Sequence, residues 1–462
     1  MEKTMKRSTM VVLQLIWVIL LFASTAFSSE ADDPAGTAAQ PLSLAEAIAH
    51  ALAANPQIQA ARFQHQAAAT QFTQARSGLL PQVNVSESFN RTTNPMWAFG
   101  TKLNQGQIEQ QDFDPDRLND PDAVNNYKTA INLAWPLYDG GRTLSGMRQS
   151  RKQAQAAQLI LESTRQQVIA NTAKAYMGLL LARENLGVVH QALETATAHL
   201  DLVQSRFQGG FVVKSDLLRA QVRIAELEQE RLQAESQIHV AQARLNAAMG
   251  RASDDLLELT TPLTTANPPS GSADDWIATA LATRPDLKQL HLQEQMAADE
   301  VDKSRAGHLP DLSLMGSYEI DSEDFSDSGD SYTVGAVLSV NLFSGQRISA
   351  RMEETRAALR QIKATRQAIL LDVRVEAKAA YLQSQSAWQR IHVATTAKAQ
   401  SAEGLRIVRN RYQNGLLTIV ALLDAAVADQ EAQTRHFKAL HDYQVARIDL
   451  ALAAGTIDRD FQ

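Results

Sequence analysis

The side chains able to do chemistry in this 462-residue chain are scattered rather than clustered. There is no Gly-rich loop with a Lys to cradle phosphate, no nucleophile elbow and no His-Glu-x-x-His pair. Of the ten His, His436 and His441 lie five residues apart, a spacing that does not stack two ligands on one helical face. Cysteine is absent, which removes disulfides, thiolate metal sites and Cys nucleophiles. Asp112-Phe113-Asp114-Pro115-Asp116 alternates carboxylates as a calcium loop does, but Arg117 and Ala123 stand where Gly and Glu are required, so a solvated acidic loop is expected. The reading is therefore no enzyme, no metal and no cofactor. What remains is the chemistry of recognition and ion steering. Two turns, Gly209-Gly210-Phe211 and Asn414-Gly415-Leu416, pair a sharp reversal with an apolar side chain that a partner could grip. Asp424, just past the second turn, supplies a carboxylate that would form a charged ring if several copies surrounded one axis.

Those turns sit within a chain that is written twice. Asn55-Pro56 and Arg284-Pro285, and then Leu80-Pro81 and Leu309-Pro310, share an offset of 229 residues. Further on the offset is 205: Leu137-Tyr138-Asp139-Gly140 matches Leu342-Phe343-Ser344-Gly345, and Arg206-Phe207-Gln208-Gly209-Gly210 matches Arg411-Tyr412-Gln413-Asn414-Gly415. The first copy thus carries 24 extra residues before Leu137. The divisions are a leader at 1–29, a first repeat at 30–250, a Thr/Ser/Pro/Asp-rich linker at 251–275, a second repeat at 276–455 and a short tail at 456–462. The leader has Lys3, Lys6 and Arg7 before the apolar run Met10 to Phe22, then small residues suited to cleavage, and reads as an export signal. Its removal shifts the formal charge from −7 to −9, since it carries three bases and Glu2. An acidic exported chain is a poor nucleic-acid binder.

Each repeat alternates apolar and polar residues in two stretches, which predicts strands. In the first repeat they are Val83, Val85 and Phe89, then Ile131, Leu133, Trp135 and Leu137; in the second, Leu312, Leu314, Tyr318 and Ile320, then Tyr332, Val334, Ala336, Leu338, Val340 and Leu342. One apolar and one small-polar face is the pattern of a membrane barrel with a wet lumen, a soluble sandwich being the alternative. No proline occurs between Pro136 and Pro262, nor after Pro310, so very long helices are permitted. Positions 217, 220, 224, 227, 231, 234, 238, 241, 245 and 248, and the same positions 205 residues on, keep the 3.5-residue spacing of a coiled-coil seam. The expected order in each repeat is helix, strand, strand, long helix, tight turn and returning helix. Four strands cannot close a barrel in lipid, so the chain must assemble, and three copies would give twelve strands around a passage.

These residues resemble the TolC-like outer membrane efflux channels over nearly the whole chain, from Leu42-Ser43-Leu44-Ala45-Glu46-Ala47 to Gly455, most specifically in the paired turns Phe207 to Leu217 and Tyr412 to Asp424. The resemblance implies a mainly α fold with a four-strand β contribution: two repeats forming the long coiled-coil helices of a periplasmic α-barrel, plus a transmembrane β-barrel completed by trimerisation. It implies a homotrimer in the outer membrane lipid of a Gram-negative bacterium, docking a periplasmic adaptor at Gly209, Gly210, Phe211, Asn414, Gly415 and Leu416. Through the adaptor it would meet an inner-membrane pump. It also implies a gate: Tyr412 matches the family's gate tyrosine and Asp216 its carboxylate partner, with Ser215 beside them and Asp424 as a ring. Leu417 and Ala421 depart from the pattern, removing one link to Ser215 and one charged ring. A structural coiled-coil or adaptor protein of an export complex is the competing reading; it would show one hairpin and no amphipathic strand pairs. The long segment Arg91 to Lys128 is expected outside the membrane, partly capping the pore, and Asp321 to Ser331 is expected as a shorter acidic loop there.

Overall fold

The computed structural model describes residues 40–251 and 257–461. The expected export signal at 1–29 lies outside the described residues. From Pro41 onward the chain is one unit in which the internal repeat is visible element by element. α1 (Leu44–Ala54) and α7 (Ala273–Thr283) are both 11 residues long, and each stops at a residue followed by proline. Pro56 and Pro285 then take the first position of α2 (Pro56–Ser77) and α8 (Pro285–Arg305), where no intrahelical N–H is needed. α5 (Arg142–Gln208) and α9 (Arg347–Gln413) each run 67 residues without a break, about 100 Å at ~1.5 Å per residue. α6 (Lys214–Met249) and α10 (Ile419–Ala453) return beside them.

Helices this long are held by packing rather than propensity, and the seam supplies it. All ten expected seam positions of α6, and all ten of α10, are buried or half-buried, with Ala220, Leu227, Ala234 and Leu245 in the first and Leu422, Asp429, Ala432, Ala439, Tyr443, Leu450 and Ala453 in the second buried. Where α1, α5, α6, α9 and α10 converge, Ile48, Ile169, Tyr176, Leu179, Leu245, Met249, Tyr443 and Ile448 form the largest core. The linker straps across this level. Thr261 N donates to the Tyr176 hydroxyl at 3.0 Å, Gln444 donates to Thr264 O at 2.8 Å, Tyr381 donates to Gly271 O at 3.1 Å, and Tyr443 donates to Asn267 O.

The four long strands, β1 (Gln82–Thr92), β2 (Val124–Asp139), β3 (Asp311–Ser322) and β4 (Ser328–Ser339), form one antiparallel sheet in sequence order. Its register aligns the two faces across all four strands. Val85 opposes Ile131, Ile131 opposes Tyr318 and Tyr318 opposes Tyr332; on the other face Asn84 opposes Asn132 and Asn132 opposes Ser317, which opposes Thr333. A single irregularity between Pro136 and Tyr138 lets proline sit in the sheet. The apolar face is open: Val85, Tyr332, Val334 and Leu338 are exposed, and among the described residues β1 and β4 have no neighbour on their outer edges.

Two loops differ from expectation. At their loop ends the strands run further than the sequence pattern indicated, so the first-repeat insertion is 93–123 rather than Arg91 to Lys128, and the second loop is 323–327 rather than Asp321 to Ser331. At its other end β4 stops at Ser339, short of the expected Val340 and Leu342. The insertion is folded, with α3 (Pro95–Asn104), a 3-10 turn at Gln110–Phe113 and α4 (Pro115–Asn119). Its acidic run is spent on local contacts: Asp112 pairs with Lys102 at 2.8 Å and accepts from Glu109 N, while Asp114 caps α4.

Candidate functional site at the hairpin tips

The two helix reversals are built alike. In the first, Gly210 N donates to Phe207 O at 3.0 Å and Phe211 N to Arg206 O at 2.9 Å; in the second, Gly415 N donates to Tyr412 O at 2.9 Å and Leu416 N to Arg411 O at 2.9 Å. This is the Schellman arrangement, and it needs a left-handed residue, supplied by Gly210 (φ 78°) and Gly415 (φ 76°). The residue after each glycine commonly packs back on its own helix. Here Phe211 and Leu416 are instead 84% and 72% exposed. The tips thus end in two apolar side chains held out by rigid turns, with Gly209 and Asn414 exposed beside them.

Just behind the turns the hairpins share a core of Val203, Ala220, Tyr412, Ile419 and Leu422. Tyr412 is only 2% exposed. The hydrogen bond expected between Tyr412 and Asp216 is not made among the described residues, and the buried Tyr412 hydroxyl has no hydrogen-bond partner there. Burial pushes this phenol up, the Arg206 charge pulls it back and the nearby Asp216 carboxylate pushes it up again. Asp216 is half-buried, whereas Ser215, on the first turn of α6, and Asp424, on the second turn of α10, are exposed. Asp424 has no ion pair among the described residues, and Leu417 and Ala421 are half-buried.

The residue that joins the two tips is Arg206, which the sequence marks only as one member of a repeated pair. Its guanidinium lies 4.9 Å over the Tyr412 ring, donates to Tyr412 O at 2.9 Å and reaches Gln413 O. It therefore covers the last carbonyls of α9, where a helix concentrates partial negative charge. Its repeat counterpart Arg411 is exposed and makes no side-chain contact of this kind among the described residues. Further along, Arg223 of α6 reaches Gln430 of α10, whose amide donates to Glu230 at 2.6 Å. Asp429 is buried between α9 and α10, accepting from Ser401 Oγ at 2.9 Å and Gln433 Nε2 at 2.8 Å. His199 is buried against a small cavity lined also by Arg223, Arg409 and Asp429, with Nε2 unpartnered; burial first, then Arg409, pulls its pKa down. A helical signature that would single out Arg206 or His199 does not exist, because both depend on which hairpin lies beside which.

No group of three or more metal-ligating side chains occurs among the described residues. The tips present an exposed apolar side chain at each turn and, at Asp424, an exposed carboxylate with no ion pair among the described residues.

Against known proteins, the profile of the outer membrane efflux protein family matches residues 47–251 and 276–456. The outer membrane protein TolC of Vibrio cholerae is 25% identical over 428 residues, covering 90% of this chain and 91% of that one. The alkaline protease secretion protein AprF of Pseudomonas aeruginosa is 27% identical over 421 residues, covering 88% and 83%. Among solved structures, the CmeC outer membrane channel of Campylobacter jejuni superposes with a TM-score of 0.77 at 20% identity, covering 89% of this chain and 85% of that one. The open-state MtrE outer membrane channel of Neisseria gonorrhoeae gives 0.75 at 18%, covering 91% and 90%. The chain belongs to the outer membrane efflux protein family.

Proposed function

We propose that three copies of this chain form a channel through the outer membrane, exporting substrates received from an inner-membrane pump through a periplasmic adaptor. The observation that carries this reading is the sheet. Its apolar face is continuous across four strands and largely open, its other face is mostly small and polar, and among the described residues both outer edges are unpaired. In lipid an open edge leaves backbone groups unsatisfied at several kcal/mol each, so the sheet must close against copies of itself. Three copies give twelve strands with the polar face inward. The aromatic residues fit the same reading. Tyr127 stacks on Phe89 and Phe325 at one end of the apolar face, and Trp135 sits at the other, donating to Leu79 O at 3.0 Å. The eight steps from Tyr127 to Trp135 span about 27 Å of strand at ~3.4 Å per residue, close to ~21 Å of depth at a ~40° tilt, which matches an outer-membrane apolar band with its two aromatic girdles.

In the assembled trimer the hairpin tips form the periplasmic end. Asp216, Ser215, Tyr412 and Asp424 line or brace the constriction, with Asp424 giving a ring of three carboxylates. Gly209, Gly210, Phe211, Asn414, Gly415 and Leu416 form the adaptor contact. Residues 1–29 serve as the export signal, 30–250 and 276–455 as the two repeats, and 251–275 as the strap between them. The pump selects the cargo. Outer-membrane fractions run on gels with and without heating test the assembly: a heat-resistant trimer is expected, and a soluble monomer would overturn it.

A further inference from the structure

The insertion 93–123 has a position that the channel reading does not by itself require. It is folded against the polar face of the sheet. Gln105, at the end of α3, donates to Asn125 O at 2.7 Å and to Asn126 Oδ1 at 2.9 Å, and Asn126 donates in turn to Asp321 Oδ1 at 2.6 Å. Gln105, Asn126 and Asp321 are all buried, Asp321 to 1% exposure, as are Val124 and Ala130 near the same end of that face, whereas Asn84, Ser86, Asn132 and Ala134 further along it are exposed. Asn126 and Asp321 share the face that carries Lys128, Asn132 and Ser317. At Gly329, on that face of β4, an added Cβ would stand 2.1 Å from Asn104 O, so the absence of a side chain is what lets the end of α3 rest on the wall. The insertion is also stiff. Asn94-Pro95 and Asp114-Pro115 cap its helices, Lys102 pairs with Asp112, and Phe99 meets Phe113 edge-on at 5.7 Å.

We infer that this insertion is a cap inside the outer mouth of the barrel, a second constriction at the end opposite the hairpin tips. The inference rests on the trimeric-barrel reading. The contact level agrees with it, because Asn126 and Asp321 lie beside Tyr127, on the strand end whose apolar face carries the Phe89–Tyr127–Phe325 stack. Size agrees as well. Twelve strands at ~4.8 Å spacing and ~40° tilt enclose a radius of about 12 Å, and a helix with side chains is about 10 Å across. Three helices packed on the wall therefore reach the axis. Met96 and Trp97, exposed on α3, are the side chains available to meet their symmetry mates there. The channel then has an exit that must be displaced for large cargo, by opening of the Gln105–Asn126–Asp321 hydrogen bonds.

The chain lacks cysteine, so one introduced thiol is a clean probe. Asn132→Cys places it on the polar face, exposed, below the insertion. Intact cells are treated from outside with a small membrane-impermeant maleimide and with a polymer-extended one, in three backgrounds: the unaltered insertion, residues 93–123 replaced by Asn-Gly, and Gly329→Val. The replacement joins strand ends already paired at Thr92 and Val124, and Gly329→Val wedges α3 off the wall without shortening the chain. Heat-resistant trimers confirm assembly in each. The small reagent is expected to label all three, and the large one to label both altered backgrounds at least about tenfold faster than the unaltered one, the factor set by losing one or two buried hydrogen bonds. Equal labelling by the large reagent in all three would overturn the cap. Absence of labelling by either reagent even without the insertion would instead overturn the open-barrel reading on which it rests.

Discussion

Arg206→Ala should loosen the periplasmic tip far more than Arg411→Ala, although the two arginines occupy equivalent places in the repeat. Arg206 makes two charge-assisted hydrogen bonds to helix-end carbonyls and a cation–π contact across the hairpins. A hydrogen bond to a charged group contributes about 1.5–3 kcal/mol when sheltered. Arg206 is half-exposed and the freed carbonyls can turn to water, so about 0.5–1 kcal/mol per bond is the better figure here. The stacked guanidinium adds about 0.5–1 kcal/mol. The sum, about 2 kcal/mol, shifts the balance between closed and separated hairpins roughly thirtyfold. In planar bilayers the closed-state dwell time should shorten accordingly, and amide hydrogen exchange around residues 405–425 should speed up. Arg206→Lys, which keeps the charge but not the planar fork, should fall between. Arg411→Ala should stay near wild type. Equal effects of the two alanine variants, or no effect of Arg206→Ala, would refute the assignment of the cross-hairpin brace.

Tyr412→Phe removes a hydroxyl with no hydrogen-bond partner among the described residues and should change the stability of the single chain's tip by less than about 1 kcal/mol, whereas Tyr412→Ala empties a buried site and should cost about 3–5 kcal/mol and raise conductance. A conductance rise in Tyr412→Phe as well would support a latch to Asp216 formed in the assembled channel, and unchanged conductance would remove it. Asp424→Ala should move reversal potentials toward zero and weaken block by multivalent cations, and unchanged traces would remove the carboxylate ring. Phe211→Asp and Leu416→Asp, at exposed positions, should leave trimers intact within about 0.5 kcal/mol while abolishing export; normal export in both would remove the adaptor contact. His199 is held below its ordinary value of 6.5, so the folded tip favours the neutral ring: its stabilisation is complete above that pH and is lost as pH falls below it. Melting at pH 7.5 and 5.5 should therefore differ, and His199→Gln should shrink the difference; an unchanged difference in that variant would assign the acid sensitivity elsewhere.

The parts of the fold that were legible in the sequence are those fixed by local pattern. Period-two alternation marked the strands because their two faces meet different media, and the seam of α6 and α10 was readable because one stripe of each helix meets its neighbour whatever lies beyond. The insertion was less legible for a physical reason. Arg91 to Lys128 read as a loop because its length exceeds any hairpin turn, yet Asn94-Pro95 and Asp114-Pro115 are helix starts, and both helices form there. The strand ends were also underestimated. Ser322 Oγ accepts from Phe325 N and donates to Asp327 O, which closes a five-residue turn and lets pairing continue to Ser322 and Ser328. Contacts such as Gln105 to Asn126, or Asn126 to Asp321 across 195 residues, carry no local mark.

The tip shows where repetition in sequence stops being symmetry in structure. The turns at 206–211 and 411–416 have the same backbone bonds, so equivalent side chains leave the backbone in equivalent directions. What differs is the neighbour. Arg206 finds the end of α9 beside it, while Arg411, one repeat later, faces outward. Within a chain the brace therefore runs from the first hairpin to the second and has no return. Arg223 to Gln430 and Gln430 to Glu230 tie the same two hairpins further along, through side chains whose repeat counterparts, Ala428, Ala225 and Arg435, cannot reproduce the set. The two hairpins are thus unequal: Arg206 and Arg223 of the first donate to the second, while Gln430 of the second donates back to Glu230. Within the second hairpin, α10 keeps its own seam with α9 through Asp429, which accepts from Ser401, and Ala432, both buried. Beside the polar brace, Val203 and Ala220 of the first hairpin pack against Tyr412, Ile419 and Leu422 of the second, so separating the tips would expose that apolar core as well as break the Arg206 bonds, and the one-sidedness of the brace follows from which repeated residues face a neighbour.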